Sequence, residues 1–190
     1  MATYADYEKK RELFVKGGDN PFSHLDADGN TPLMVAIKNH NEGLAILMLE
    51  DLKAKTCKLD HVNKDGDTAL ILAARDGYHD RLIEHIVQYY PDECNAGHVN
   101  KAGQTALIVA ADSETDRWTT ISIAEFADAN PSHMDKRGNT AMNYLLSTCV
   151  STDDMGTYQS QLERLYDLEK EDRIQKENDS MQHLLKGQMN

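Results

Sequence analysis

A short motif occurs four times in the chain, and this repetition constrains the fold more than any other feature of the sequence. Each copy runs from an Asp or Asn, through a glycine three residues later, to a threonine and an apolar, alanine-rich stretch. The glycines are Gly29, Gly66, Gly103 and Gly138, which lie 37, 37 and 35 residues apart. Self-similarity at such a period is typical of proteins in which each repeat stacks on its neighbours.

The residue types within each copy predict a hairpin-like turn followed by a helix. The leading Asp or Asn bonds to nearby backbone in turns, and the glycine accepts a positive φ without a Cβ clash. The threonine two residues after the glycine is a good helix N-cap. These threonines are Thr31, Thr68, Thr105 and Thr140. A second helix follows in each unit, as in the second copy, where Leu82, Ile83, Ile86 and Val87 recur at helical spacing.

The motif resembles the ankyrin repeat, whose signature is T-P-L-H-x-A at a period of about 33 residues. The segment TPLMVA at 31–36 is the closest match, and the resemblance covers about residues 20–150. The sequence departs from the pattern in its longer period and in replacing the histidine of the signature by Met34, Ile71, Ile108 and Asn143. The resemblance implies an all-α ankyrin-repeat solenoid of stacked helix pairs with short hairpin-like tips.

The ends of the chain are interpreted as caps, because a stack of repeats needs terminal units with a polar outer face. We expect an N-terminal capping helix over 1–19, and a C-terminal capping helix with a charged tail over 151–190. The four repeats between them are expected at about 24–60, 61–97, 98–132 and 133–150. The fourth carries Leu145–Leu146 where small residues are usual, so it is interpreted as a partial cap. Residues 169–180 are too charged to bury, which predicts a solvated helix or disorder.

Composition argues against several classes of function. The formal charge of −12 repels phosphate backbones, so we expect no nucleic-acid partner. No apolar run approaches about 18 residues, which argues against membrane insertion, and the N-terminus lacks the apolar segment of a secretory signal. The three cysteines are odd in number and far apart, which favours a reducing, intracellular (cytoplasmic) location. We expect a monomer when the chain is alone.

No catalytic motif is recognisable, so we expect neither an enzyme nor a cofactor. Cys149 is interpreted as an ordinary thiol. A histidine lies five residues before each repeat glycine, at His24, His61, His98 and His133. Stacked helices are about 8–10 Å apart, whereas two zinc ligands must lie within about 4 Å of each other. We therefore predict that these rings pack or hydrogen-bond along the hairpins, with a metal site or a pH-sensitive surface as the alternatives.

The ankyrin resemblance implies a non-catalytic scaffold or adaptor that binds another protein along its concave face. That face comprises the hairpin tips and the exposed ends of the first helices of the repeats. The tip positions are Asp28, Asn30, Lys64, Asp65, Asp67, Lys101, Gln104, Lys136, Arg137 and Asn139. The helix positions are Lys38, Asn39, Arg75, Asp76 and Asp112. Trp118, the only tryptophan, either packs into the third helix pair or is an exposed anchor. The alternative for every one of these residues is that it only solubilises the surface.

Two narrower functions stay open from the sequence. The Glu-rich block at 169–177, followed by Leu184–Leu185, is similar to the tails of type IV-secreted effectors from intracellular bacteria. On that hypothesis the protein is translocated into a host cell and binds a host protein. The other alternative is a regulatory or inhibitory subunit of an enzyme, which covers a basic surface with its own acidic one.

Overall fold

The computed structural model describes residues 5, 7–9, 24–77, 79–113, 117–126, 129–152 and 155–188. Within them, the side chains of 51–56, 117–118, 126, 149–152, 155–158 and 184–188 are left undescribed. The helices are α1 (Pro32–Lys38), α2 (Glu42–Cys57), α3 (Ala69–Asp76), α4 (Asp80–Tyr89), α5 (Ala106–Asp112), α6 (Arg117–Phe126), α7 (Ala141–Thr152) and α8 (Met155–Gln188). No strand occurs in the described ranges, so the predicted all-α class is confirmed.

The helices form two rows. An inner row contains α1, α3, α5 and α7, and each of these helices packs against the next. An outer row contains α2, α4, α6 and α8, which pack on one another in the same order. Each of the first three repeats therefore contributes one inner and one outer helix, and the extended segments between repeats lie at one edge of the stack.

The inner helices are short because a threonine begins each of them and their apolar run is brief. The hydroxyl of Thr31 accepts a hydrogen bond from the backbone N–H of Met34 at 3.2 Å, and Thr68 and Thr105 make the equivalent bond at 3.3 Å. Every residue of the stretch Ala106–Ala111 in α5 is buried. Small side chains such as Ala110 let α5 approach both of its neighbours in the row.

The fourth repeat departs from this pattern. Asn143 stands where the ankyrin signature has a histidine. Its side-chain oxygen accepts the backbone N–H of Thr140 at 2.9 Å, so here the side chain inside α7 bonds to the backbone of the threonine, whereas in the other repeats the threonine side chain bonds to the backbone of the helix. Leu145 is buried whereas Leu146 is exposed. α8 then takes the outer position and packs on α6 and α7, with Leu165 fully buried. α8 continues as a helix through the charged segment 169–180, which is exposed for most of its length. The expectation that this segment is too charged to bury is wrong for Glu169, which is buried, and a carboxylate oxygen of Asp172 accepts the backbone N–H of Ser132 at 3.1 Å.

Several predictions concern residues outside the described part of the chain. Most of the expected N-terminal capping helix lies there, although residues 7–9 are helical and Tyr7 is buried. The backbone of Trp118 belongs to α6 and that of Cys149 to α7, but their side chains are not described. In the described ranges, no helix combines the length and apolarity needed to cross a membrane.

Candidate partner-binding surface

Each hairpin tip is organised by the side chain that begins its motif. In the first tip, one carboxylate oxygen of Asp26 accepts the backbone N–H groups of Asp28 at 2.9 Å and Asn30 at 2.7 Å. Asn63, Asn100 and Asp135 hold the other three tips in the same way. The glycines of the four tips have φ between 78° and 85°, where a side chain is strained. The tips are therefore rigid turns that repeat in register.

The histidines before the glycines bond one hairpin to the preceding one. Nε2 of His61 lies 2.8 Å from the carbonyl oxygen of Gly29, and Nε2 of His98 lies 2.8 Å from that of Gly66. His133 makes the same contact with Gly103 at 3.0 Å. Since a carbonyl only accepts, Nε2 carries the proton in all three rings. The prediction that these histidines hydrogen-bond along the hairpins is confirmed for three of the four.

A row of lysines makes a second set of bonds between hairpins. The ammonium group of Lys64 donates to the carbonyl of Ala27, that of Lys101 to Lys64, and that of Lys136 to Lys101, at 2.5 to 2.6 Å. All three side chains are nevertheless exposed. These predicted contact residues therefore also bond one hairpin to the preceding one.

Two predicted tip residues are buried rather than exposed. Asn30 and Asp67 both have about 1% of their surface accessible. Nδ2 of Asn63 donates to Asn30, and Nδ2 of Asn100 donates to Asp67, each at 2.9 Å. These bonds run from each repeat to the one before it, so neither residue reaches a partner directly.

Arg75 belongs to the same network. Its guanidinium pairs with both carboxylate oxygens of Asp67, at 2.6 and 2.9 Å. This hydrogen bonding to Asp67 raises the pKa of Arg75, although partial burial acts against the shift. The bidentate pair fixes the end of α3 against the second tip. The negative charge of Asp65 also stabilises the charged guanidinium.

The inner helix ends and the tips form one continuous surface. In the first repeat, the charge of Lys38 at the end of α1 helps to lower the pKa of Asp26 in the tip, after the larger effect of its hydrogen bond from Asn30. In the second repeat, Arg75 bonds directly to a tip residue. In these two repeats, the end of the inner helix thus lies beside the tip.

Five of the predicted contact residues are exposed, and in the described part of the chain their side chains make neither a hydrogen bond nor an ion pair. They are Asp28, Lys38, Asp65, Asp112 and Arg137, and we call them the recognition row. Among the other predicted residues, Asn39 is exposed but bonds to the carbonyl of Val35. Asp76, Gln104 and Asn139 are partly buried.

The last tip contains a cluster that the sequence motif did not indicate. The hydroxyl of Tyr144 donates to the second carboxylate oxygen of Asp135 at 2.6 Å, which raises the pKa of Tyr144. Burial acts to raise the pKa of Asp135, but hydrogen bonds from Tyr144 and from the backbone of Asn139 and Arg137 outweigh it and lower that pKa. Tyr144 occupies the position of Val35, Leu72 and Val109 in the other repeats.

An apolar residue follows each histidine of the hairpins, and three of the four are exposed. Leu25 has 45% of its surface accessible, Val99 40% and Met134 56%, while Val62 between them is partly buried. Single exposed apolar residues are ordinary on protein surfaces. Their recurrence at one position of successive repeats, however, produces an apolar line along the hairpins, which we call the apolar line. The repeat register was the signal that would have shown it in the sequence.

The cysteines whose side chains are described are poor candidates for chemistry. Burial raises the pKa of Cys57 to about 12 and that of Cys94 to about 11. Both thiols donate to backbone carbonyls, of Met48 and Pro91 respectively. A thiol must lose its proton to act as a nucleophile, so neither is activated.

Stacked helix pairs joined by rigid hairpins in register define this protein as a helical repeat solenoid. A family model described as ankyrin repeats, in three copies, matches residues 2–89. This match supports the ankyrin resemblance for residues 2–89. The match begins before the expected first repeat and so includes most of the segment interpreted as an N-terminal cap. No curated protein matches the chain. Ankyrin repeats are generally protein–protein interaction modules and are typically non-catalytic.

Proposed function

We propose that the protein is a non-catalytic adaptor that binds a partner protein with the recognition row and the adjoining hairpin tips. The observation that supports the proposal is that some side chains of this surface bond the repeats together, whereas others make no such bond. The histidines, the lysines, Asp67 and Arg75 are occupied in holding the repeats together. In the part of the chain that the structure describes, the side chains of the recognition row make neither a hydrogen bond nor an ion pair, and they stay exposed on a rigid support. A preorganised surface of this kind loses little conformational entropy on binding.

The charges of the recognition row define the kind of partner that fits. Asp28 and Asp65 are acidic and lie on the first two tips, whereas Arg137 is basic and lies on the last. The exposed lysines of the tips add positive charge beside them. Because charges of both signs occur along this surface, the complementary partner is a polar segment of mixed charge. The apolar line on the same hairpins supplies area that can be buried in a complex.

Charge reversal at two positions of the row tests this proposal. The double variant Asp65→Lys with Arg137→Glu keeps the net charge and removes no hydrogen bond of the hairpins. It also reverses the charges beside Arg75 and Asp135, so its urea unfolding is compared with that of the wild type before binding is measured. We expect the variant to bind the partner of the wild type with an affinity that is lower by about tenfold or more, because like charges placed opposite each other at an interface cost several kcal/mol. The measurement is affinity capture with quantitative mass spectrometry, followed by titration of the recovered partner.

The matched control lies on the outer row. Arg81 and Glu84 are exposed on α4, so Arg81→Glu with Glu84→Lys makes the same pair of reversals on the opposite side of the stack. This control should bind as the wild type does. A partner that survives the row variant but is lost with the α4 variant would place the binding surface on the outer helices. Substitution of Lys64, Lys101 or Arg75 is unsuitable for this test, because each would also loosen the hairpins.

The effector and the regulatory-subunit hypotheses are narrower forms of the same proposal, since both use a bound protein. They differ in the dependence of binding on salt and in the role of α8. A subunit that covers a basic surface binds more weakly as ionic strength rises, because exposed charges are screened. An effector loses its export, but not its binding, when residues 168–190 are deleted.

A further inference from the structure

Three potential metal ligands meet between the first and second repeats. His40 lies in the turn that joins α1 to α2, Asp76 ends α3, and His79 precedes α4. Each offers one ligand atom, and these atoms lie within 4.8 Å of one another. In the described part of the chain, this is the one group of three His, Cys, Asp or Glu side chains gathered so closely. The histidines of the hairpins take no part in it.

The burial and hydrogen bonding of His79 are those of a metal-binding histidine. Its ring is fully buried, and Nε2 donates to the carbonyl oxygen of Ile37 in the preceding repeat at 3.0 Å. The proton therefore resides on Nε2, and Nδ1 presents a lone pair. Nδ1 is buried and has no hydrogen-bond partner. Histidines that bind metals almost always donate their other N–H to a carboxylate, a carbonyl or water, which fixes the ring in this manner.

The fold itself does not require the second nitrogen of His79. In the third repeat, the hydroxyl of Ser113 donates at 2.9 Å to the carbonyl of Ala74, which is the equivalent of Ile37. A serine thus suffices to make the same connection between repeats. The imidazole adds a buried nitrogen that this connection does not use.

The other two ligands are positioned to complete the site. The rings of His40 and His79 are stacked, with centroids 6.0 Å apart and 14° between their planes. His40 has a φ of 53°, in the left-handed region, and its ring lies against that of His79 of the second repeat. Asp76 is partly buried and His40 is exposed.

We propose that His40, Asp76 and His79 bind one divalent transition-metal ion, with zinc as the reference ion, and so clip the first repeat to the second. Two imidazoles and a carboxylate suit zinc, whose bonds to such ligands are about 2.0–2.2 Å. In a tetrahedral site those bonds place ligands about 3.4 Å apart. The side chains of His40 and Asp76 must therefore close inward by about 1 Å when the ion binds. Three protein ligands leave a fourth position for water or for a carboxylate of a partner protein.

Zinc titration of the metal-stripped full-length protein tests this site. Calorimetry at a pH about one unit above the ordinary histidine pKa should show one zinc ion bound per chain, and the melting temperature should rise with zinc. His40→Asn and Asp76→Asn should each weaken binding by at least the 10–100-fold that loss of an outer-shell group costs. Asparagine is the replacement at His40 because it tolerates a positive φ. His183→Asn, at an exposed position of α8, is the matched control and should bind as the wild type does.

A second readout does not depend on variants at the buried position. The nitrogen NMR resonance of His79 Nδ1 should shift on addition of zinc to the wild type. At a zinc concentration that only just saturates the wild type, it should shift much less in His40→Asn. Cobalt substitution should give visible absorption without a thiolate charge-transfer band, since the proposed ligands include no cysteine. Equal zinc affinity in the wild type and both site variants would overturn the proposal, as would an unshifted His79 resonance. In that event Nδ1 accepts a hydrogen bond from a buried water.

Discussion

Replacing Gly66 by alanine should destabilise the protein much more than the same change at Gly138. The two glycines have nearly equal φ values of 85° and 80°, so an alanine Cβ meets a similar backbone penalty of about 1–2 kcal/mol at each. The two glycines differ in the atoms that an added Cβ would meet. A Cβ on Gly66 would come within 2.8 Å of the backbone nitrogen of Lys101, whereas nothing lies within 4 Å of one on Gly138. The contact at Gly66 is the stacking of one hairpin on the next.

The magnitude follows from adding the two effects. Overpacking against a backbone that must shift costs about 1–3 kcal/mol. Gly66→Ala should therefore lower the free energy of unfolding by about 2–5 kcal/mol, and Gly138→Ala by about 1–2 kcal/mol. Gly29→Ala should resemble the latter, because its Cβ would lie 3.4 Å from the nitrogen of Lys64, an ordinary contact distance. Urea unfolding followed by circular dichroism measures all three.

Position along the stack needs its own control, because terminal repeats can fray. Thr31→Ala and Thr68→Ala each remove one helix cap of similar geometry, worth about 1 kcal/mol, from the first and the second repeat. Equal losses in this pair would show that the first repeat, and therefore Gly29→Ala, reports on global unfolding. If Gly66→Ala then proved no more destabilising than Gly29→Ala, the inferred close stacking of the hairpins would be wrong.

Three further predictions follow from the network and the buried groups. Asp67→Ala should lower the free energy of unfolding by about 1–3 kcal/mol, because it leaves donors without their acceptor, whereas Asp65→Ala should change it by less than about 0.5 kcal/mol; urea unfolding compares them. The pKa of Asp135 is lowered below 3.8, so its carboxylate contributes stability that is present above that value and is lost as the pH falls through the folded-state pKa. Asp135→Asn should accordingly flatten the pH dependence of the urea midpoint below 3.8. Cys57 and Cys94, whose pKa values are raised to about 12 and about 11, should resist iodoacetamide in the native protein and react after unfolding, as peptide mass spectrometry would show.

The sequence was sufficient for the architecture because local signals repeat four times. Each glycine has the positive φ that its turn requires, and Thr31, Thr68 and Thr105 cap helices as predicted. The extent of α8 was harder to predict. Its apolar face ends near residue 168, and the charged remainder is equally compatible with disorder, since composition alone does not report helix length.

The roles of the surface residues were harder to predict from the sequence, because they depend on how one repeat packs on the next. Asp67 was interpreted as an exposed tip residue, yet Arg75 of its own repeat and Asn100 of the following one cover it. The proximity of His40 to His79 likewise depends on how the second repeat packs on the first. Residues about one period apart become neighbours across repeats, and a search at that spacing rather than at helical spacing would have paired them.

Hydrogen–deuterium exchange of the chain, alone and in complex with the partner recovered by affinity capture, tests whether the recognition row and its hairpins bind a partner protein. We expect slower exchange on binding in the tips at residues 64–67, 101–104 and 136–139, with no change in α2 and α4. Slower exchange confined to α2 and α4, with unchanged tips, would contradict this expectation.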